Sequence, residues 1–351
     1  MLTTPLPAAL DGTRISIPAE SGSGDDSPVV CAYMSVLAGR EEAASGPLGT
    51  APLLLVHSIN ASASAAEVRP VFQHYKSRRP TLALELPGFG SSQRGPLPYS
   101  PSMMAQSVLR AARHLRRLGF ERPIDVLAIS LSCEFVAIAV LEQPTWFRSV
   151  AMVSPTGLET ANDEHYEQGR TKERPLLRRF LTSALGEPLF RLLTTPSAMR
   201  WFLERAWGSP VIDEALLDHG HLAARQPGAR FAPAAFIAGA LFTQGIAERY
   251  AQLTLPVWLA HGVHGEFTDF GGLSRIGPPR NWATDSFGTG AMPQLEAARL
   301  FISRYEAFLN RVALNAAMST ARLAAAREQS DRRKTPDARS WAHAPAARAT
   351  R

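Results

Sequence analysis

The chain has 351 residues, 45% hydrophobic and 19% charged, enough for one large globular domain with an inserted subdomain. Its net charge is +6, but residues from 312 onward hold eight Arg/Lys against three Asp/Glu. The body is therefore nearly neutral, and the basic tail lacks the interleaved aromatics of a nucleic-acid surface.

The N-terminus, Met-Leu-Thr-Thr-Pro-Leu-Pro, lacks a basic segment followed by an apolar core, so no signal peptide is expected. Thr13–Pro18 and Val29–Val36 are short β-rich runs separated by Ser-Gly-Ser-Gly-Asp-Asp, the pattern of a hairpin entering a sheet. Residues 41–50, rich in Glu, Ala, Ser and Gly, are expected to form a loop. Pro52–Val56, Thr81–Leu86, Pro123–Ile129, Ser149–Val153 and Pro256–Ala260 are short apolar runs, as in strands buried on both faces. Helical stretches at about 65–78, 101–119 and 132–143 alternate with them, which predicts a parallel sheet covered by helices.

The alternation stops after Pro155. Residues 159–250 carry helical patterns and no buried-strand run, so they are expected to form a lid. Thr195-Pro196 opens one helix there and Gly208-Ser-Pro ends it; Ala234–Tyr250 forms another. Its aromatic residues, among them Phe190, Trp201, Trp207 and Phe236, are expected mostly to pack the lid and partly to line an apolar pocket. Leu295, Phe301, Ile302, Tyr305, Phe308 and Val312 recur near a 3.6-residue period, so a last amphipathic helix packs on the sheet. The Ala/Arg-rich residues 313–351 offer too little apolar surface to offset their ordering entropy and are expected to be a disordered tail. The expected division is 1–158 and 251–312 for the core, 159–250 for the lid and 313–351 for the tail.

Three segments carry chemistry. Leu127-Ala-Ile-Ser-Leu-Ser-Cys-Glu-Phe follows a buried strand and opens a helix, placing Ser130 at a sharp corner. The residues two before and two after it, Ala128 and Ser132, are small. Leu55-Val-His-Ser-Ile-Asn60 ends an earlier apolar strand. Glu85-Leu-Pro-Gly-Phe-Gly-Ser-Ser92 ends the next.

In this order and spacing the segments resemble the α/β-hydrolase superfamily: its Gly-x-Ser-x-Gly elbow, its His-Gly loop and its Asp-x-Pro-Gly-x-Gly-x-Ser loop. The resemblance covers about 48–158 and 251–312. It implies an α/β-hydrolase fold with a helical lid, and a serine, an acid and a histidine in that chain order. Ser130 takes the place of the nucleophile, and the backbone N–H groups of Ile59 and Leu131 that of the oxyanion hole. His57 is read as a structural residue of its loop. For the acid, Glu266 fits better and Asp269 is the second choice, both in His261-Gly-Val-His-Gly-Glu-Phe-Thr-Asp269.

The resemblance fails at one position. Gly290-Ala-Met-Pro-Gln-Leu-Glu296 matches the family's Gly-His-x-Pro-x-x-Glu except that Ala291 replaces the base. Serine is a weak nucleophile at neutral pH without a positioned base. A substitute would come from His264 in the acid loop, from His219 or His221 in the lid, or from His57. Two functions remain open: a serine hydrolase of ester, thioester or related acyl substrates with an atypical base, or a non-hydrolytic member of the fold binding a small apolar ligand, promoting lyase-like chemistry or serving as a pseudoenzyme. Neither implies a cofactor or metal. No membrane span is expected, since no apolar run approaches roughly 20 residues, and two distant cysteines, Cys31 and Cys133, fit a cytoplasmic, reducing compartment.

Overall fold

A hairpin of β1 (Thr13–Ile17) and β2 (Val30–Met34) starts the fold, in a computed structural model that describes residues 5–19, 27–35, 51–159, 173–276 and 280–334. The expected loop at 41–50 and the linker Ser21–Asp26 lie outside the described residues. The other strands are β3 (Leu53–Val56), β4 (Thr81–Glu85), β5 (Ile124–Ile129), β6 (Phe147–Val153), β7 (Val257–Gly262) and β8 (Trp282–Phe287). The sheet order is β1-β2-β4-β3-β5-β6-β7-β8. β2 pairs antiparallel with β1 and β4, and all later pairs are parallel. β3, β4 and β5 are buried at every residue, which is why they read as unbroken apolar runs. β8 escapes that criterion: as an edge strand, Trp-Ala-Thr-Asp-Ser-Phe buries only Phe287 fully.

Helices cover both faces. α1 (Arg69–Tyr75), α2 (Pro101–Arg117) and α3 (Ser132–Glu142) follow β3, β4 and β5. Ser100 caps α2, its side chain accepting from Met103 N–H, with Pro101 in the first turn. One core layer lies under α2 and α3. The other holds Phe72 of α1 and Phe301, Tyr305 and Phe308 of the last helix; there Trp258 stacks on Tyr305 at 5.3 Å.

Between β6 and β7 lie α4 (Pro175–Thr182), α5 (Gly186–Leu193), α6 (Pro196–Trp207), α7 (Glu214–Ala224), α8 (Phe231–Ile237) and α9 (Ile246–Ala251). Thr195 caps α6, and Gly208, left-handed at φ 63°, ends it. The expected continuous helix at 234–250 is two helices, because Gly239 and Gly245 take positive φ between α8 and α9. The insertion packs on both core layers: Ala232 and Ala235 join one, and Met199, Trp207, Leu216 and Leu217 the other. Short α10 (Leu273–Ile276) and α11 (Pro293–Glu296) follow.

The last helix, α12 (Ala298–Lys334), runs well past residue 312, so disorder from 313 is corrected for its first part. Alanine and arginine favour helix even where nothing is buried, and the residues from Leu314 to Arg322 are exposed. Residues 335–351 lie outside the described set. No described helix is long and apolar enough to cross a membrane.

Candidate active site

Ser130 stands between the end of β5 and the start of α3, with φ at +54°. This left-handed conformation is costly for a residue with a Cβ. It is held by Ser130 N–H donating to Val153 O at 2.7 Å and by the buried helix that follows. Ser132, where the family motif has glycine, donates from Oγ to His57 O at 2.5 Å. The departure from glycine therefore ties the corner to the loop after β3.

That loop is organised by two buried groups. His57 Nε2 accepts from Leu86 N–H at 3.1 Å, so Nδ1 carries the proton and donates to Ser58 O at 2.6 Å. Burial pulls its pKa down to about 4. Both ring nitrogens are occupied and the ring is neutral, which leaves His57 unable to act as a base. Glu67 accepts from Ser58 N–H at 2.7 Å, Ser58 Oγ at 3.0 Å and Asn60 Nδ2 at 2.8 Å. Burial raises its pKa against the pull of these donors. Glu85 does the same for the third segment, accepting from Ser91 N–H at 2.6 Å. The backbone N–H groups of Ile59 and Leu131, both on buried residues, have no acceptor among the described residues. Buried backbone donors are rarely left unpaired. Since β3 and β5 are neighbours in register, Val56 opposite Ala128, the two segments leave the sheet side by side.

The base and acid loops are built differently. Ala291 follows β8, and its carbonyl accepts from Ser154 Oγ at 2.8 Å. Ser154 follows β6, the strand beside Ser130's own, and is also left-handed, at φ 46°. Ala291 N–H donates to Ala206 O at the end of α6 at 2.8 Å. Glu296 clasps the loop, accepting from Gly290 N–H at 2.8 Å and Met292 N–H at 3.1 Å. A Cβ on Gly290 would lie 2.4 Å from Ala206 O, so only glycine permits this approach. The clasp explains the glutamate of the Pro-x-x-Glu frame, a role missed in the sequence although the motif carried it.

His264, Glu266 and Asp269 share one exposed loop. Glu266 N–H donates to Arg205 O at 3.0 Å, and its carboxylate pairs with the Arg205 side chain. Asp269 Oδ1 accepts from Gly271 N–H at 3.0 Å. His264 lines a cleft of about 460 Å³ with Trp207, Asp213, Thr289 and Glu296; Ser130 does not line it. His219 is buried in α7 with its pKa lowered to about 4 by burial and by Arg69. His221 Nδ1 bonds Thr194 O at 2.9 Å. Thus Leu131 adjoins Ser130 and Ile59 follows the neighbouring strand, whereas no hydrogen bond joins a described side chain to Ser130 Oγ. No group of three or more His, Cys, Asp or Glu among the described residues could hold a metal.

A family model described as alpha/beta hydrolase fold matches residues 51–203, from β3 through the elbow into α6. The eight-stranded, mostly parallel sheet has the same architecture. The chain has the α/β-hydrolase fold. Solved structures of this fold resemble it over 84–86% of its length. A bacterial membrane phospholipase A matches at 18% identity and TM-score 0.61, covering 86% of each chain. A thermophilic esterase from Thermogutta terrifontis matches at 13% identity and TM-score 0.62, covering 86% of this chain and 99% of its own. The 2-hydroxy-6-oxo-6-phenylhexa-2,4-dienoate hydrolase of Rhodococcus sp. strain RHA1 matches at 17% identity and TM-score 0.58, covering 84% and 98%. No curated protein sequence matches the chain.

Proposed function

We propose that this α/β-hydrolase-fold chain hydrolyses an ester, thioester or related acyl bond through Ser130, with an atypical or impaired base. The observation that carries the reading is the strained Ser130 flanked by the unpaired, buried N–H groups of Ile59 and Leu131. Ser130 Oγ attacks the acyl carbonyl, and the oxygen that becomes negative accepts from those two donors. Such fixed donors, together with substrate binding, leave a residual acceleration of roughly 10³–10⁴-fold over water when a triad member is missing. The hydrolases and the phospholipase of like fold support the reaction class. The insertion serves as a lid, since it adds buried side chains to both core layers, and the acyl group is apolar and small. Two free thiols, Cys31 and Cys133, suit a reducing compartment such as the cytoplasm.

Proton removal is the weak step. His264 is the histidine closest in sequence to the acid candidates Glu266 and Asp269, and it serves as base when the loop after β7 moves toward Ser130. The backbone bond from Glu266 N–H to Arg205 O at 3.0 Å opposes that movement and favours a second reading: a non-hydrolytic protein that binds an acyl-like ligand at the same two N–H groups. Hydrolysis of an activated ester by the wild type and by Ser130→Ala separates them. A Ser130-dependent rate supports hydrolysis. Equal rates, with a carboxylate or ketone ligand still bound, leave only the binding reading.

A further inference from the structure

The insertion carries exposed apolar side chains on three successive helices that neither its packing nor the proposed chemistry uses. Seven of the fifteen exposed large apolar side chains among the described residues lie between 176 and 202. Leu176 is 81% exposed, Leu185 74%, Leu192 65%, Phe202 52%, Trp201 51% and Phe180 44%. Leu176 and Phe180 are one turn apart on α4, so they share a stripe. Leu185 and Leu192, seven residues apart at the start and end of α5, share another. Trp201 and Phe202 meet edge to face at 4.9 Å on α6. α5 and α6 each bury a separate set, Phe190 in one and Met199 and Trp207 in the other, so the outward residues are not needed to hold them.

The charges around these side chains are biased. Residues 173–208 contain six arginines and three glutamates. Arg178, Arg191, Arg200 and Arg205 sit in ion pairs near the surface, which contribute little and exchange readily. Arg174 and Arg179 are exposed and make no ion pair among the described residues. Arg205 also lies over the Trp201 ring, 4.7 Å from its centroid. The surplus of arginine over glutamate, with Arg174 and Arg179 left without an acidic partner among the described residues, complements an anionic surface. Leucine and aromatic side chains bordered by arginine are the composition of a helix lying at a lipid–water boundary, where guanidinium groups reach phosphate while the apolar side enters the acyl layer.

We propose that the outward face of α4–α6 docks on an anionic lipid surface, with Leu176, Leu192 and Trp201 entering the bilayer and Arg174 and Arg179 meeting phosphates. This goes beyond the acyl-hydrolase reading and stands without it, because docking needs neither Ser130 nor a base.

The test is cosedimentation of the full chain with vesicles of phosphatidylcholine alone or mixed with phosphatidylglycerol, together with Trp201 emission. Binding is expected to the anionic vesicles, weakened by salt, with a blue shift that Trp201→Phe removes. Leu176→Ser, Leu192→Ser and Trp201→Ser should each lower the partition coefficient by about fivefold, the scale of partly burying one large apolar side chain. Arg174→Glu with Arg179→Glu should abolish the preference for the anionic lipid, and Leu314→Ser, exposed on α12, should change nothing. Four results would overturn the proposal: no anionic binding, equal binding to neutral vesicles, binding unaffected by the three Ser variants (which would place it in the basic tail), or a dimer in solution that the same variants dissociate.

Discussion

The two halves of the site are held in opposite ways. The serine side is pinned from within: Ser132 bonds His57 O, Glu67 takes three donors of the next loop, and Glu85 clasps the third segment. All three residues are buried. The acid loop is exposed, the loop around Ala291 is mostly buried, and both lean on the insertion. Ala291 and Glu266 both donate their N–H groups to the last carbonyls of α6, and Glu266 spends its carboxylate on Arg205. On the proposed reading, the N–H groups of Ile59 and Leu131 persist as donors without the base, because they are backbone groups whose positions depend on the core. A histidine contributes only where its loop, its acid and its neighbours agree in geometry, and those parts are anchored to a different element.

The largest effect should come from breaking the buried half. Glu67→Ala leaves Ser58 N–H, Ser58 Oγ and Asn60 Nδ2 without their acceptor, and is expected to cost about 3 kcal/mol, the sum of such buried losses. Chemical denaturation measures it; a loss below about 1 kcal/mol would mean that this loop is held by something else. Next is repair of the other half. Ala291→His should raise activated-ester hydrolysis about tenfold or more through general-base assistance. If Glu266 stays with Arg205, the gain should increase further in Ala291→His with Arg205→Ala, which frees the carboxylate. A folded variant with no gain would show that the loop after β8 no longer aims at Ser130.

A smaller contrast is readable in pH. Glu134 accepts from Thr156 Oγ1 at 2.5 Å and from Thr243 N–H at 2.6 Å, joining α3 to the insertion. Burial raises its pKa from 4.5 to about 8. The folded chain then holds this proton more tightly than the unfolded chain. The Glu134 contribution is full below pH 4.5 and is lost as pH rises to about 8. Stability of the wild type relative to Glu134→Gln should therefore fall across that window; a flat difference would contradict the assignment. His57 and His219, both lowered to about 4, act in the opposite sense and destabilise as pH falls from 6.5 toward 4. The smallest effect belongs to the end of α12. Removing residues after 322 should leave the melting temperature nearly unchanged, since the residues just before that point are already exposed.

The same division governed what the sequence revealed. Strands buried on both faces announce themselves as apolar runs, so β3 to β7 were legible, and the corner at Ser130 followed from the strand-to-helix order. β8 was not, because an edge strand with Asp285 paired to Arg304 and only Phe287 inward has no such run. The break between α8 and α9 lay in Gly239 and Gly245, whose positive φ is a property of the turn and not of apolar periodicity. The helix through Lys334 was hidden because composition alone does not separate an exposed Ala/Arg helix from an unfolded tail. At the site, the loop motifs pointed to Ile59 and Leu131 as candidate donors, but the engagement of Glu266 by Arg205 joins residues 61 apart and has no local signature.

The most direct test is labelling of the wild type with a fluorophosphonate, followed by mass mapping of the modified residue. Such a probe reports serine nucleophilicity and the oxyanion donors without requiring turnover. Slow, stoichiometric labelling is expected at Ser130, absent in Ser130→Ala and faster in Ala291→His. A wild type that stays unlabelled, or a label on any other residue, would contradict Ser130 as the reactive centre.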